Sequence, residues 1–126
     1  MPAHPGTRAL IDWLRERHAA IKEREADALD CLYNENDPVA HRQLMMERAE
    51  LIATIDVETK ALVDALPADI REDAEQTLRR FAKGARNALR LDSVFYMSAL
   101  LYPDEHKAGE PDNMELFIAD LGAASK

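Results

Sequence analysis

The chain is poor in the residues that punctuate and staple small folds. It has one cysteine, Cys31, so it cannot form an internal disulfide, and it fits a reducing cytosol better than a secreted scaffold. Only four glycines, one Trp, three Tyr and three Phe occur in 126 residues, and the runs of β-branched residues that build strands are missing. No apolar run approaches the ~18 residues needed to cross a bilayer. The N-terminal Met-Pro-Ala-His-Pro-Gly stretch lacks the basic start and apolar run of a signal peptide. These absences exclude a disulfide scaffold and a strand-rich fold, and they lead us to expect a cytoplasmic protein with no membrane contact.

Ala, Leu, Glu and Arg, all strong helix formers, are abundant, and 47% of the residues are hydrophobic. The expected class is all-α: an antiparallel bundle of three long helices plus a short amphipathic helix, in one domain spanning 1–126. Thr7 is expected to cap a first helix over 7–34, with Leu10, Ile11, Leu14, Ile21, Ala28 and Leu29 on its inner face. Asp37 and Pro38 mark the cap and first position of a second helix, 38–66, which Pro67 closes. A third helix is expected over 68–102, with a bend or close crossing near Gly84 or Asp92. Asn113 is expected to cap the last helix, 113–122.

Each long apolar stripe is interrupted by a polar side chain: His18 and Glu25 on the first helix, Arg48 on the second and Asp92 on the third. Antiparallel alignment about short turns brings Glu25, Arg48 and Asp92 within a turn or two of one another. The Arg48 guanidinium is then expected to engage both carboxylates, since an unpaired buried charge costs several kcal/mol. The favoured role of this layer is to fix helix register. The rival role is an anion site at Arg48, with Glu25, Asp92 or His18 handling a proton.

Metal and cofactor chemistry find little footing. None of His4, His18, His41 or His106 has a Glu three positions before it, so the ligand set of bundle di-iron sites is missing, and we expect neither metal nor cofactor. Asp37 and His41 are spaced i, i+4, but a helix cap and a surface imidazole explain them. The Glu47/Glu50 and Glu72/Glu75 pairs project away from the apolar stripes and read as solvated faces. Cys31 has no nearby His in sequence to activate it. The segment Met46-Glu47-Arg48-Ala49-Glu50-Leu51, with Leu14-Arg15, loosely resembles helical chorismate mutases, which hold a dianion with Arg and Lys inside a bundle. Only those residues match, their spacing departs from that family's, and Lys60 is not secured as a second cation.

The net charge is −8, which opposes nonspecific binding to nucleic acid or anionic lipid. Against that average stands a basic ridge, Arg79, Lys83, Arg86 and Arg90 with Arg80 beside it, and no acid occurs from 76 to 91. It reads either as a solubilising face or as a docking strip for an acidic helix, for the chain's own acidic tail or for a phosphate backbone. Nucleic acid is the least favoured of these, since no aromatic residues interleave with the ridge to stack on bases.

From Val94 to Tyr102 the chain is apolar on every side, and such a segment needs covering. Val94, Phe95, Met97, Leu100 and Leu101, together with Phe117, Ile118 and Leu121 of the last helix, are the candidate partner surface. The favoured function is therefore a non-enzymatic adaptor or small acidic chaperone-like protein that binds another protein or a second copy of itself. A helical hairpin followed by a long helix in a small acidic chain is similar to bacterial flagellar and type III export chaperones. That likeness covers layout and composition over the first two thirds and implies no site residues.

Overall fold

A computed structural model describes residues 4–124; the first three residues of the stretch read above for a leader lie outside the described range. Helices are the regular structure of the described residues, with no strand among them. The order is α1 (Pro5–Tyr33), α2 (Pro38–Ala53), α3 (Ile55–Glu58), α4 (Lys60–Asp64), α5 (Ala68–Arg90), α6 (Val94–Ala99) and α7 (Asn113–Ala124). No helix among these residues is long and apolar enough to cross a membrane.

Helix α1 begins at Pro5, earlier than expected, and His4 caps it by accepting the Gly6 N–H on Nδ1 at 3.1 Å. Thr7 is not the cap: it is fully buried inside the first turn. Asp37 caps α2 as expected, accepting the Ala40 N–H at 3.1 Å. α1 and α2 pack along their lengths with opposite sense, since Arg24 meets Glu47 while Arg17 meets Leu51. Leu10, Leu14, Ile21, Ile52, Leu78 and Met114 are buried at the centre.

The expected second helix is broken twice, at Thr54 and Thr59, where no Pro or Gly announces it. At Thr59 the buried side chain donates its hydroxyl to Ile55 O at 2.6 Å, and at Thr54 arginines from the neighbouring helices supply the physical reason. Arg17 donates to the Leu51 carbonyl at 2.7 Å and grips Glu58 with both terminal nitrogens, and Arg86 donates to the Ala53 carbonyl at 2.9 Å. The carbonyls that α2 leaves without a helical partner are thus taken by cations, which also complement the negative end of its dipole. Arg71 does the same after α4, donating to Leu66 O at 2.8 Å.

The expected third helix stops at Arg90. Asp92 takes a left-handed φ of 53°, and Ser93 starts α6 by accepting the Tyr96 N–H at 3.2 Å. Gly84 does not break α5, which runs through it as one helix. The last helix is capped one residue earlier than expected. Asp112 accepts the Glu115 N–H at 2.8 Å while Glu115 accepts the Asp112 N–H at 3.0 Å, a reciprocal capping box. α7 packs on α1, and Phe117 meets Phe81 of α5 edge-on at 6.0 Å.

Candidate functional site

Two features fall at the C-terminal end of the fold: a polar seam between α1 and the segment that follows α6, and a groove between α5, α6 and α7 that is apolar along α6 and mixed along α7. The seam is built on one face of α1, where His18, Lys22 and Glu25 recur at i, i+4 and i+7. Lys22 Nζ lies 2.7 Å from Glu25 Oε2 and donates to the Tyr102 hydroxyl at 2.7 Å, and that hydroxyl donates to Glu25. Burial alone would raise the Glu25 carboxyl. The hydrogen bonds from Lys22 and Tyr102 and the charge of Arg48 outweigh it and hold the group below the usual carboxylate range.

Arg48 is fully buried, as its place in the apolar stripe implies, but its partners differ from those expected. One terminal nitrogen donates to Met97 O and the other to Leu100 O, each at 2.8 Å, and the guanidinium carbon sits 5.6 Å from the centre of the Tyr102 ring. Its fork thus caps the end of α6 rather than bridging two acids. Glu25 contributes through its field, and burial disfavours the charged form. Asp92 does not join the layer. It sits in the turn between α5 and α6, 64% exposed, and pairs with Arg42. The reason is local: the third helix ends before Asp92, which rotates the side chain away from the stripe.

His18 reaches a partner that the stripe could not show. Its Nε2 is 2.7 Å from Oδ2 of buried Asp112 and 3.9 Å from Oε1 of Glu115. For Asp112, burial pushes upward, but the hydrogen bonds from His18 and from the Glu115 backbone prevail and lower its pKa. The ligand atoms of His18, Asp112 and Glu115 lie within 4.8 Å of one another, the one group among the described residues gathered closely enough to hold a metal ion. Both carboxylates are already engaged in the capping box, which accounts for their placement. Sequence spacing misses this group because 94 residues separate His18 from Asp112. The Asp-x-x-Glu capping pattern at 112 and 115 is the signal that could have found half of it.

The groove runs between α5, α6 and α7. One stretch, about 540 Å³, is bounded by Phe81, Gly84, Leu100, Leu101, Leu116 and Phe117, with Arg80 on the α5 wall and Asp120 on the α7 wall. A second, about 340 Å³, continues past Gly84 and Leu100 to Ala88, Leu91 and Tyr96. Leu91 is 60% exposed, Tyr96 and Leu116 are exposed as well, and Phe95, 75% exposed, meets the Tyr96 ring edge-on at 5.6 Å. Of the expected partner surface, Met97, Leu101, Phe117 and Leu121 are buried: Met97 packs with Ala28, Met45, Ala49 and Ala88, and Leu101, Phe117 and Leu121 join the core formed with α1, α2 and α5. Val94, Leu100 and Ile118 are half-buried, and Phe95 is open. A smaller cleft of about 180 Å³ lies elsewhere, between Val57, Lys60 and Val63 on one side and Leu78 on the other.

The basic ridge divides into two sets. Arg79 pairs with Glu75 at 2.6 Å and Arg86 with Asp56 at 3.1 Å. Arg80 and Arg90 touch only neutral oxygens at 3.5 Å, of Thr77 and Asn87, and Lys83 makes no ion pair or hydrogen bond among the described residues. At ~100° per residue, Arg80 lies about 40° from Gly84 and lines the groove, Lys83 and Arg90 point outward about 100–120° round, and Arg79 and Arg86 fall farther round still.

No family model matches the chain, and no curated protein or solved structure is significantly similar to it.

Proposed function

We propose that this chain is a non-enzymatic interaction module, an antiparallel helical scaffold whose working surface is the groove between α5, α6 and α7, acting on another protein as a cytoplasmic adaptor or small acidic chaperone. The observation that carries this reading is that exposed Leu91 and Tyr96 line an apolar groove and exposed Phe95 meets the Tyr96 ring edge-on at 5.6 Å. Large apolar side chains exposed together beside a concave apolar floor mark an interaction surface more often than chance exposure does. The rival anion site loses ground, because the terminal nitrogens of Arg48 are engaged by two main-chain carbonyls and the side chain is fully buried. Burial, with the nearby Glu35, also raises the Cys31 thiol, the opposite of what a nucleophile needs.

A photo-crosslinking residue placed at Phe95 tests this against the same residue at Val57, which is comparably exposed but lies at the remote cleft. In cells, position 95 should trap a discrete partner and position 57 should not. Equal labelling, or none at 95, would remove the groove as the working surface.

A further inference from the structure

Gly84 poses a physical question. It sits in the interior of the long helix α5, where glycine costs about 1 kcal/mol relative to alanine. Neither of the usual reasons for such a residue holds. The helix runs straight through without a break or left-handed φ, and a Cβ added there would meet only Leu100 Cδ2 at an ordinary 3.7 Å. What the missing side chain does is leave the floor of the groove open where its two stretches meet.

The charges beside that floor are equally one-sided. In a chain of net charge −8, the ridge cations farthest round from the groove, Arg79 and Arg86, are paired with acids, whereas Arg80, which lines it, and Lys83 and Arg90, on the outer face of α5 next to it, have no carboxylate partner among the described residues. The opposite wall carries Asp120. From Thr77 to Leu91 the α5 wall extends about 21 Å, or four helical turns.

Resting on the groove being the working surface, we propose that its occupant is an amphipathic α-helix of another protein, about four turns long, with an apolar stripe laid over Gly84 and Leu100 and acidic residues along the single flank that faces Arg80, Lys83 and Arg90. A helix acidic on both flanks is disfavoured by Asp120, and a basic flank toward α5 is repelled.

The test is selection from a displayed library of helix-forming peptides of about 18 residues, roughly one turn longer than the groove. The full chain is the bait, and Gly84→Trp, which fills the floor, is the counter-selection. Circular dichroism checks that the Trp variant folds, and Leu116→Glu on the exposed α7 wall serves as a second blocking variant. The expected peptides repeat apolar residues at i, i+3/i+4 and i+7 and carry acids on one flank. They should bind about tenfold more weakly to the Arg80→Glu/Lys83→Glu/Arg90→Glu variant, as the loss of three exposed ion pairs implies, and more weakly in high salt. Peptides that are neutral or basic on that flank, with affinity unchanged in the triple variant, would overturn the acidic occupant and leave the groove standing. Peptides that bind both blocked variants as well as the parent would overturn the groove itself. A chain that is dimeric by light scattering and becomes monomeric in Gly84→Trp would assign the groove to a second copy and overturn the foreign helix.

Discussion

Arg48 and Leu100 tie the interior of the protein to its surface. The guanidinium of the buried arginine holds the Leu100 carbonyl at 2.8 Å, while the Leu100 side chain forms the groove floor beneath Gly84. The next residue, Leu101, turns the chain with a φ of 72°. A non-glycine residue in that conformation costs of order 1–3 kcal/mol and persists only where its surroundings hold it. Arg48 holds one side of this turn and the Asn113 N–H, 2.7 Å from Leu101 O, holds the other. The shape of the groove therefore rests on a charge two layers below it.

Arg48→Met should destabilise the fold by about 2–4 kcal/mol, because two main-chain carbonyls lose their donors and Glu25 loses its nearest buried cation. Arg48→Lys should recover less than half of that, since one ammonium cannot reproduce the fork that spans Met97 O and Leu100 O. Denaturant unfolding followed by circular dichroism reads both, and a loss below 1 kcal/mol, or full recovery by lysine, would remove Arg48 from this role.

Asp92→Asn should change stability by no more than about 0.5 kcal/mol. The residue is exposed, its pair with Arg42 is at the surface, and asparagine tolerates the same left-handed φ. A cost of several kcal/mol would return Asp92 to a buried layer.

Asp112→Ala should cost about 1–3 kcal/mol, because it removes the α7 cap and the partner of His18 together. His18→Ala removes only one of these and should cost less. A His18 effect larger than that of Asp112 would mean the imidazole has another partner.

Acid should loosen the seam in a predictable sense. The pKa values of Glu25 and Asp112 are lowered in the fold, so each contributes stability that is fully present above the unfolded carboxylate value of about 4 and is lost as pH falls through the folded value. Unfolding free energy measured from pH 7 downward should fall below pH ~5, with a smaller drop in Glu25→Gln and in Asp112→Asn than in the parent. Identical pH profiles for all three would show that neither carboxylate carries the linkage.

The sequence reveals helix content, the α1–α2 turn and the burial of Arg48, because these depend on local signals: the Asp37-Pro38 cap and a 3.6-residue apolar period. It does not reveal the break at Thr54, since the arginines that take up the α2 carbonyls come from other helices. Nor does it place Asp92 outside the layer, because the α5 stripe continues in register across a turn that has no Gly or Pro. The same holds for the split of the basic ridge, as Arg86 reads like a solvated charge until Ala53 and Asp56 are seen beside it. Gly84 is visible in the sequence as a helix weakness, yet only the open floor around it gives that weakness a use.

Gly84→Ala should stabilise the protein by about 0.5–1 kcal/mol, since the added methyl meets Leu100 at an ordinary distance while the helix gains propensity. A loss of stability would mean that the glycine serves packing and not the open floor of the groove.

The most direct test of the groove needs no natural partner. 1-Anilinonaphthalene-8-sulfonate joins an apolar aromatic body to a single anion, the chemistry that the floor and Arg80 on the α5 wall would accept, and its site can be read by amide chemical-shift changes in the labelled full chain. Saturable shifts centred on Gly84, Leu91, Leu100 and Leu116 are expected, absent in Gly84→Trp. Shifts centred on the cleft at Val57 and Lys60, or shifts unchanged by filling the floor at Gly84, would contradict the groove as the working surface.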